Sequence, residues 1–366
     1  MVKAKGKLMS VLITILAAVL VLAACGGNSS GSSGNSGGNT GNNTGNGAGS
    51  AAEKVKLKIT HFQPGSEDQP AHAASLKFKE YVERESNGTI EVEIFPASAL
   101  GDANVVLEGM QLGSIQMGIV HDGPVATVYP TISVFNLPYL FQSPEEAWQV
   151  WDSEFAQKLF DNMAQETGIR PLALADNGIR HFTNSKHEIK SVDDLKGLKI
   201  RIQPGKLYEE FIKATGASPS TIGWTELPAA LEQGVVDGQE NGVTNILAAS
   251  LYQYQKYVTL DGHIYSFHAY LIAEKFFQSL TPEQQKVIID GVNEAKQIHR
   301  QMTSDMDKNA KQILSEKGMI VTELTPEELE RFRQVTQSPV AEWMKSEIGE
   351  EWVNGVLQEV EKARNG

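Results

Sequence analysis

From Val55 onward the chain switches repeatedly between two hydrophobic periods, and this switching restricts the fold more than any other feature. Lys56-Leu57-Lys58-Ile59-Thr60 reads as a strand, and Thr89-Ile90-Glu91-Val92-Glu93-Ile94-Phe95 alternates polar and apolar residues until Pro96 stops it. Between them, residues 71–85 place apolar side chains at helical spacing, and 105–112 do so again before a short apolar run, 115–120, suited to a buried strand. Interleaved patterns of this kind specify an α/β fold. Three helix starts share one design: Ser143-Pro144-Glu145-Glu146, Thr281-Pro282-Glu283-Gln284 and Thr325-Pro326-Glu327-Glu328 each offer a hydroxyl cap, a proline at the first helical position and an acid or amide three residues on. The second opens a pattern that reaches about Glu316, roughly 50 Å of helix at 1.5 Å per residue, enough to lie across two domains as a shared spine. In 195–202, alternation puts Ile200 and Ile202 on one face and Lys199 and Arg201 on the other. Helices follow at 207–215, capped by Gly216, and at 226–233, ended by Gly234; Val235 to Asn241 then reads as a buried strand running into a polar turn.

The first 50 residues do not belong to this pattern. Lys3, Lys5 and Lys7 precede an apolar run from Leu8 to Ala24, broken only by Ser10 and Thr14, which suits a signal peptide over 1–24. The run ends Leu22-Ala23-Ala24-Cys25-Gly26, which resembles the bacterial lipobox, where a cysteine is lipidated and becomes the first mature residue. Cys25 is the only cysteine, so an internal disulfide, a cysteine metal cluster and thiol catalysis are all excluded. Residues 28–50 are almost entirely Gly, Ser, Asn and Thr, with no apolar surface to bury. The segment 25–52 is therefore a lipidated cysteine and a tether with a root-mean-square reach of about 25–30 Å. Such a spacer suits the outer face of a Gram-positive cell better than a periplasm. Without the signal, 29 Lys and Arg stand against 45 Asp and Glu. That balance gives no general attraction for nucleic acid or anionic lipid, so an anion must be held by a few well-placed basic side chains.

From Val55 onward no Gly-x-Ser-x-Gly elbow, His-Glu-x-x-His, phosphate-binding loop or dinucleotide fingerprint occurs. The eight histidines are scattered without i, i+4 metal spacing. What remains is a set of polar residues at strand and loop ends: Arg201, Arg180, Asn241 and Trp224. A guanidinium grips a carboxylate with two parallel hydrogen bonds, an amide holds a neighbouring oxygen, and an aromatic ring closes over a carbon chain. On residue type alone both arginines are equally readable as solvated surface groups, Trp224 as a packing residue and Asn241 as a turn residue.

Several segments occur in a telling order: Phe95 to Asp102, Glu108 to Met117, Asn136-Leu137-Pro138-Tyr139-Leu140-Phe141, Gly178 to Asn184, Asp194 to Arg201, Gly216-Ala217-Ser218-Pro219 and Ala230 to Asn241. In order and approximate spacing the chain resembles the solute-binding subunits of TRAP transporters (tripartite ATP-independent periplasmic), DctP type. The resemblance implies a two-domain clamshell like that of periplasmic binding proteins, with a long helix spanning both domains. On this chain the division runs 53–177 plus 267–306 for domain I and 178–266 plus 307–366 for domain II. It further implies that Arg201 bridges a ligand carboxylate, with Arg180 a second anion contact. Asn241 and Trp224 match motif positions, and His61, Phe62 and Glu108 fall in first-domain segments that face the cleft. The implied function is extracytoplasmic capture of a small carboxylate, a C4-dicarboxylate or sugar acid, for sodium-coupled TRAP membrane subunits, with no catalysis, cofactor or metal. An ATP-driven uptake receptor and a ligand-presenting sensor lipoprotein are the alternatives. Two departures stand out: Gln203-Pro204 follows the arginine strand, so substrate does not transfer, and Leu227-Pro228 follows Glu226, where a tyrosine or phenylalanine is common.

Overall fold

The computed structural model describes residues 54–365. The expected alternation becomes nine strands: β1 (Val55–His61), β2 (Ile90–Phe95), β3 (Met117–His121), β4 (Ile169–Asn184), β5 (Lys199–Ile202), β6 (Ser218–Thr221), β7 (Gly238–Asn241), β8 (Tyr257–Ala273) and β9 (Ile320–Glu323). They form one sheet in the order β2-β1-β3-β8-β4-β7-β5-β6, with β9 on the outer part of β8. At one end, β1 runs parallel to β2 and β3; at the other, β5 runs parallel to β6 and β7. Between them, β4 and β8 form a long antiparallel ladder from Ile169↔Ala273 to Asn184↔Tyr257. The ladder slips between Pro171 and Ala173, between Asp176 and Gly178, and between Arg180 and Phe182. Gly178 adopts φ +100, a conformation that a side chain opposes. A bulge of this kind bends and twists a strand where it crosses from one half of a sheet to the other.

The helices follow from the same local chemistry. Helix Pro70–Glu85 turns Phe78 and Val82 inward, and these meet Ile288, Val292 and Ala295 of helix Pro282–Lys308 over β1 to β3. All three cap designs form: Ser143, Thr281 and Thr325 each accept a backbone hydrogen bond from the residue three on, and Gln284 reciprocates to complete a capping box. Two expectations need correction. The spine helix stops at Lys308, and Asn309 separates it from a shorter helix, Ala310–Glu316, so its length is about 40 Å. The apolar pair Val235-Val236 does not form the strand: Val235 is exposed, and β7 consists of the polar residues Gly238–Asn241, all buried.

The spine helix is tied to the crossing strands by a buried carboxyl. Asp307 Oδ2 accepts from the backbone N–H of Ile179 at 2.9 Å, while Oδ1 is shut from solvent without a partner. Although the residue is only half-buried, burial of the carboxyl pushes it up to about 7 against the help of that N–H. Asp176 faces it across the bulge and is also raised, first by burial, with Asp307 adding to the shift. An acid raised in the fold takes up a proton on folding, so its contribution to stability is full near pH 4 and is lost as pH climbs toward 7. Asp307→Asn should therefore raise stability above pH 7, by on the order of 2 kcal/mol, and with it the melting temperature, and flatten the fall between pH 4 and 7. Thermal melts across that range that leave the two proteins parallel would contradict this.

Candidate functional site

Parallel strands present their carboxyl ends to one crevice, the usual place for ligands in open α/β sheets. Here β1 ends in His61 and leads to Phe62, β3 ends in His121 and leads to Asp122, β5 carries Arg201 and leads to Gln203, and β7 carries Glu240 and Asn241. The two ends of the sheet meet across this crevice. Phe62 packs edge-on against Trp224 with ring centroids 5.4 Å apart. Asp122 accepts from Gln203 Nε2 at 2.8 Å, from the Tyr208 hydroxyl at 2.6 Å and from Asn136 at 2.7 Å. A Cβ on Gly123 would stand 2.2 Å from the Pro204 carbonyl oxygen, so only glycine permits that approach.

The two arginines are both buried and have opposite electrostatic circumstances. Arg180 donates to both carboxylate oxygens of Glu240, Nε to Oε2 at 2.5 Å and Nη2 to Oε1 at 2.9 Å, and also to the Glu240 carbonyl at 2.6 Å. Its guanidinium lies over the Tyr208 ring. Burial opposes its charge, but Glu240 more than compensates and holds it above its ordinary range, while Arg180 keeps the Glu240 carboxyl low despite burial. His263 stands between Asp261, at 2.7 Å, and Glu240, at 3.3 Å; the two acids raise it against burial. Arg180 is thus a neutralised member of an internal network.

Arg201 is not neutralised. It is 1% exposed, and its hydrogen bond runs from Nε to the Ile222 carbonyl at 2.9 Å. Among the described residues no carboxylate lies within ion-pair distance of it. Burial pushes the group down to about 9; Glu240 resists from a distance and Arg180 adds repulsion. A guanidinium does not shed its proton under ordinary conditions, so the shift expresses a cation lacking a counter-charge. The Nε bond fixes the plane of the fork and leaves the two terminal nitrogens for an anion.

Around Phe62 the other half of the crevice is built from imidazoles. Phe62 contacts His121 and His268 with ring centroids 4.9 Å away in each case. His61 Nε2 lies 3.1 Å from His72 Nδ1, His268 Nδ1 lies 3.1 Å from His299 Nε2, and the Tyr270 hydroxyl meets His299 Nδ1 at 2.9 Å. Burial is the largest cause in each case and drives His61 down to about 4, His121 and His299 to about 3, and His268 well below its usual value. Arg201 and Arg180 add to the shift on His121. These rings are neutral at physiological pH. A small pocket opens beside them, lined by Thr60, His61, Phe62, Ser98, Val106 and His121 among others.

Of the residues singled out from sequence, Arg201, Trp224, His61 and Phe62 gather here. Arg180 and Asn241 lie in the adjoining polar layer: Asn241 donates to Gln239 Oε1 at 2.6 Å and accepts from Asn245 at 2.9 Å, so its amide is already engaged. Glu108 does not join them. It sits on the exposed face of helix Ala103–Leu112, beside Lys58, Val105 and Leu112, because helical phase turns Val106, Leu107 and Met110 inward instead. His121, Asp122, Gln203, Tyr208, Glu240 and His268 were missed. Asp122 and Gln203 offered only polarity just after an apolar strand, Tyr208 lies within the helix Lys206–Thr215, Glu240 within β7 and His268 within β8, and isolated histidines are usually satisfied structural groups. Among the described residues no cluster of three or more His, Cys, Asp or Glu is placed to hold a metal.

Residues 61–347 match the family described as DctP, bacterial extracellular solute-binding protein, family 7, and the chain belongs to that family. It is a TRAP solute-binding protein of DctP type, extracytoplasmic in its family, and not an enzyme. Its fold is the α/β clamshell seen in solved members. The sugar acid binding protein of Advenella mimigardefordensis, in complex with galactonate, is 32% identical with a TM-score of 0.80, covering 85% of this chain and 99% of that one. A TRAP periplasmic solute binding protein of Polaromonas, bound to D-erythronate, is 30% identical with a TM-score of 0.78, covering 83% and 98%. The C4-dicarboxylate-binding periplasmic protein DctP of Rhodobacter capsulatus is 30% identical over 309 residues, 83% of this chain and 91% of its own length.

Proposed function

We propose that the protein captures a small carboxylate through a salt bridge to Arg201 and closes around it for delivery to TRAP membrane subunits. The observation that carries this reading is the buried Arg201 guanidinium, oriented by one backbone bond and lacking a carboxylate partner. A buried unpaired cation is costly, and an anionic ligand relieves that cost. Relatives bound to galactonate and D-erythronate, and one named for C4-dicarboxylates, support the ligand class.

The moving parts are domain I, 53–177 plus 267–306, and domain II, 178–266 plus 307–366. The β4 slip between Asp176 and Gly178 lies opposite Phe267 and Ser266, and the spine helix breaks at Asn309, so the backbone is irregular close to both divisions. Closure is fastened by Asp122, whose bonds to Gln203 and Tyr208 join the two halves, and by the Phe62–Trp224 contact. A ligand drives it only through contacts made better in the closed form. The lipid anchor at Cys25 and the signal and tether before the fold lie outside the described residues; they belong to this reading as the device that keeps the protein at the membrane surface.

Two measurements test it. In a thermal-shift screen of organic acids, one present at 100 times its dissociation constant should add about 2.7 kcal/mol of stability, and that gain should fall below about 1 kcal/mol in Arg201→Ala. A panel in which no acid shifts the transition would remove the proposal. Gly123→Ala should wedge the Pro204 carbonyl away and weaken ligand binding about tenfold or more, with the unliganded melting temperature little changed; unaltered affinity by calorimetry would show that this approach is not needed for capture.

A further inference from the structure

We infer that the ligand is a hydroxylated monocarboxylate, ionised at one end and carrying neutral hydroxyl groups at the other, and that dicarboxylates are poor ligands. The inference rests on the Arg201 reading and refines it. Three arginines and no lysine are buried among the described residues. Arg180 is consumed by Glu240, and Arg300 donates to Asp152 and to the Leu174 carbonyl. That leaves Arg201 as the one buried guanidinium without an acid partner. A ligand with one carboxylate matches it, and a second carboxylate has no cation to meet.

The far half of the crevice is built for something uncharged. Its polar groups are imidazoles and hydroxyls: His61, His121, Thr60 and Ser98 line the pocket and His268 lies beneath Phe62. Two guanidinium groups act on His121 and oppose its protonation, so it does not become the missing second cation. The rings keep hydrogen-bonding capacity in reserve. The His121 side chain makes no hydrogen bond among the described residues, and His61 Nδ1 and His268 Nε2 are buried without partners. A neutral imidazole offers one donor and one acceptor, and a hydroxyl can answer either. A carboxylate can only accept, and burying it there without a counter-charge carries a heavy desolvation cost. An alkyl tail would leave the ring nitrogens unsatisfied. Phe62 and Trp224 close over the carbon chain between the two ends.

The test is calorimetry on the full-length protein with acids matched in carbon number. At four and at six carbons, an aldonate is compared with the aldarate, in which the terminal CH2OH is replaced by a second carboxylate, and with the plain alkanoate. At one of the two lengths the aldonate should bind at least 100-fold more tightly than both others. His121→Leu should weaken that aldonate at least tenfold, and His121→Gln, which keeps a neutral donor and acceptor, should recover most of the loss. An aldarate or alkanoate that binds within tenfold of the aldonate, or more tightly, overturns the inference; if that binding still depends on Arg201, carboxylate capture survives. Failure of every acid at both lengths, or binding indifferent to Arg201→Ala, overturns both.

Discussion

Arg201→Ala should weaken ligand binding by about 2–5 kcal/mol, some 30- to several thousand-fold, while leaving the unliganded protein as stable as before or slightly more so. The two halves of this expectation have one cause. Truncating one partner of a buried, hydrogen-bonded charge pair strands the other charge, here the ligand carboxylate in a closed crevice. Without ligand the guanidinium has no acid partner to lose; its hydrogen bond is the one to Ile222, and its burial already works against its charge. Arg201→Lys should recover only part of the affinity, because an ammonium keeps the charge but lacks the planar fork. Calorimetry and thermal melts on the same preparations decide the matter. Unchanged affinity would remove the clamp. A collapse in melting temperature would mark Arg201 as a structural residue.

The opposite profile is expected for its neighbour. Glu240→Gln should destabilise the fold by about 3–5 kcal/mol, because it leaves the Arg180 guanidinium buried with its counter-ion gone. In a chain of this size that corresponds to a fall in melting temperature on the order of 10 °C. His263 also loses one of the two acids that raise it. Arg180→Met combined with Glu240→Leu should restore most of the stability, since replacing a whole buried pair by apolar residues is often close to neutral. If Glu240→Gln melts with the wild type, the pair is not the structural element that its geometry indicates. If the double variant is worse than the single, the network's value lies in its hydrogen bonds rather than in cancelling charge.

The contrast between these arginines shows where sequence reading ran out. Both occupy positions that a family resemblance marks as anion contacts, and by residue type they are the same. They differ because β7 lies between β4 and β5 and the Glu240 carboxylate it carries is bonded to Arg180, while the Arg201 side chain on β5 is bonded to the Ile222 carbonyl. The β7 segment failed for a related reason. Val235-Val236 carries the apolar signal expected of a buried strand, yet the strand is Gly238–Asn241, whose polar side chains are satisfied by Arg180, Thr183, Asn245 and one another. Local hydrophobicity cannot report burial that is paid for by partners elsewhere in the chain. Glu108 is the converse: it lies in a segment that matches the family, but helical phase turns it to solvent.

Period and capping chemistry act over a few residues, so the chain alone determined the α/β class, the three proline-opened helices, the strand bearing Arg201 and the absence of disulfides. Which arginine is left without a counter-charge, which histidines gather around Phe62, and where the sheet bends between its halves were decided only in three dimensions. Charge, burial and hydrogen bonding at those sites depend on residues as many as 206 positions away, as between Phe62 and His268, and no local pattern carries that information.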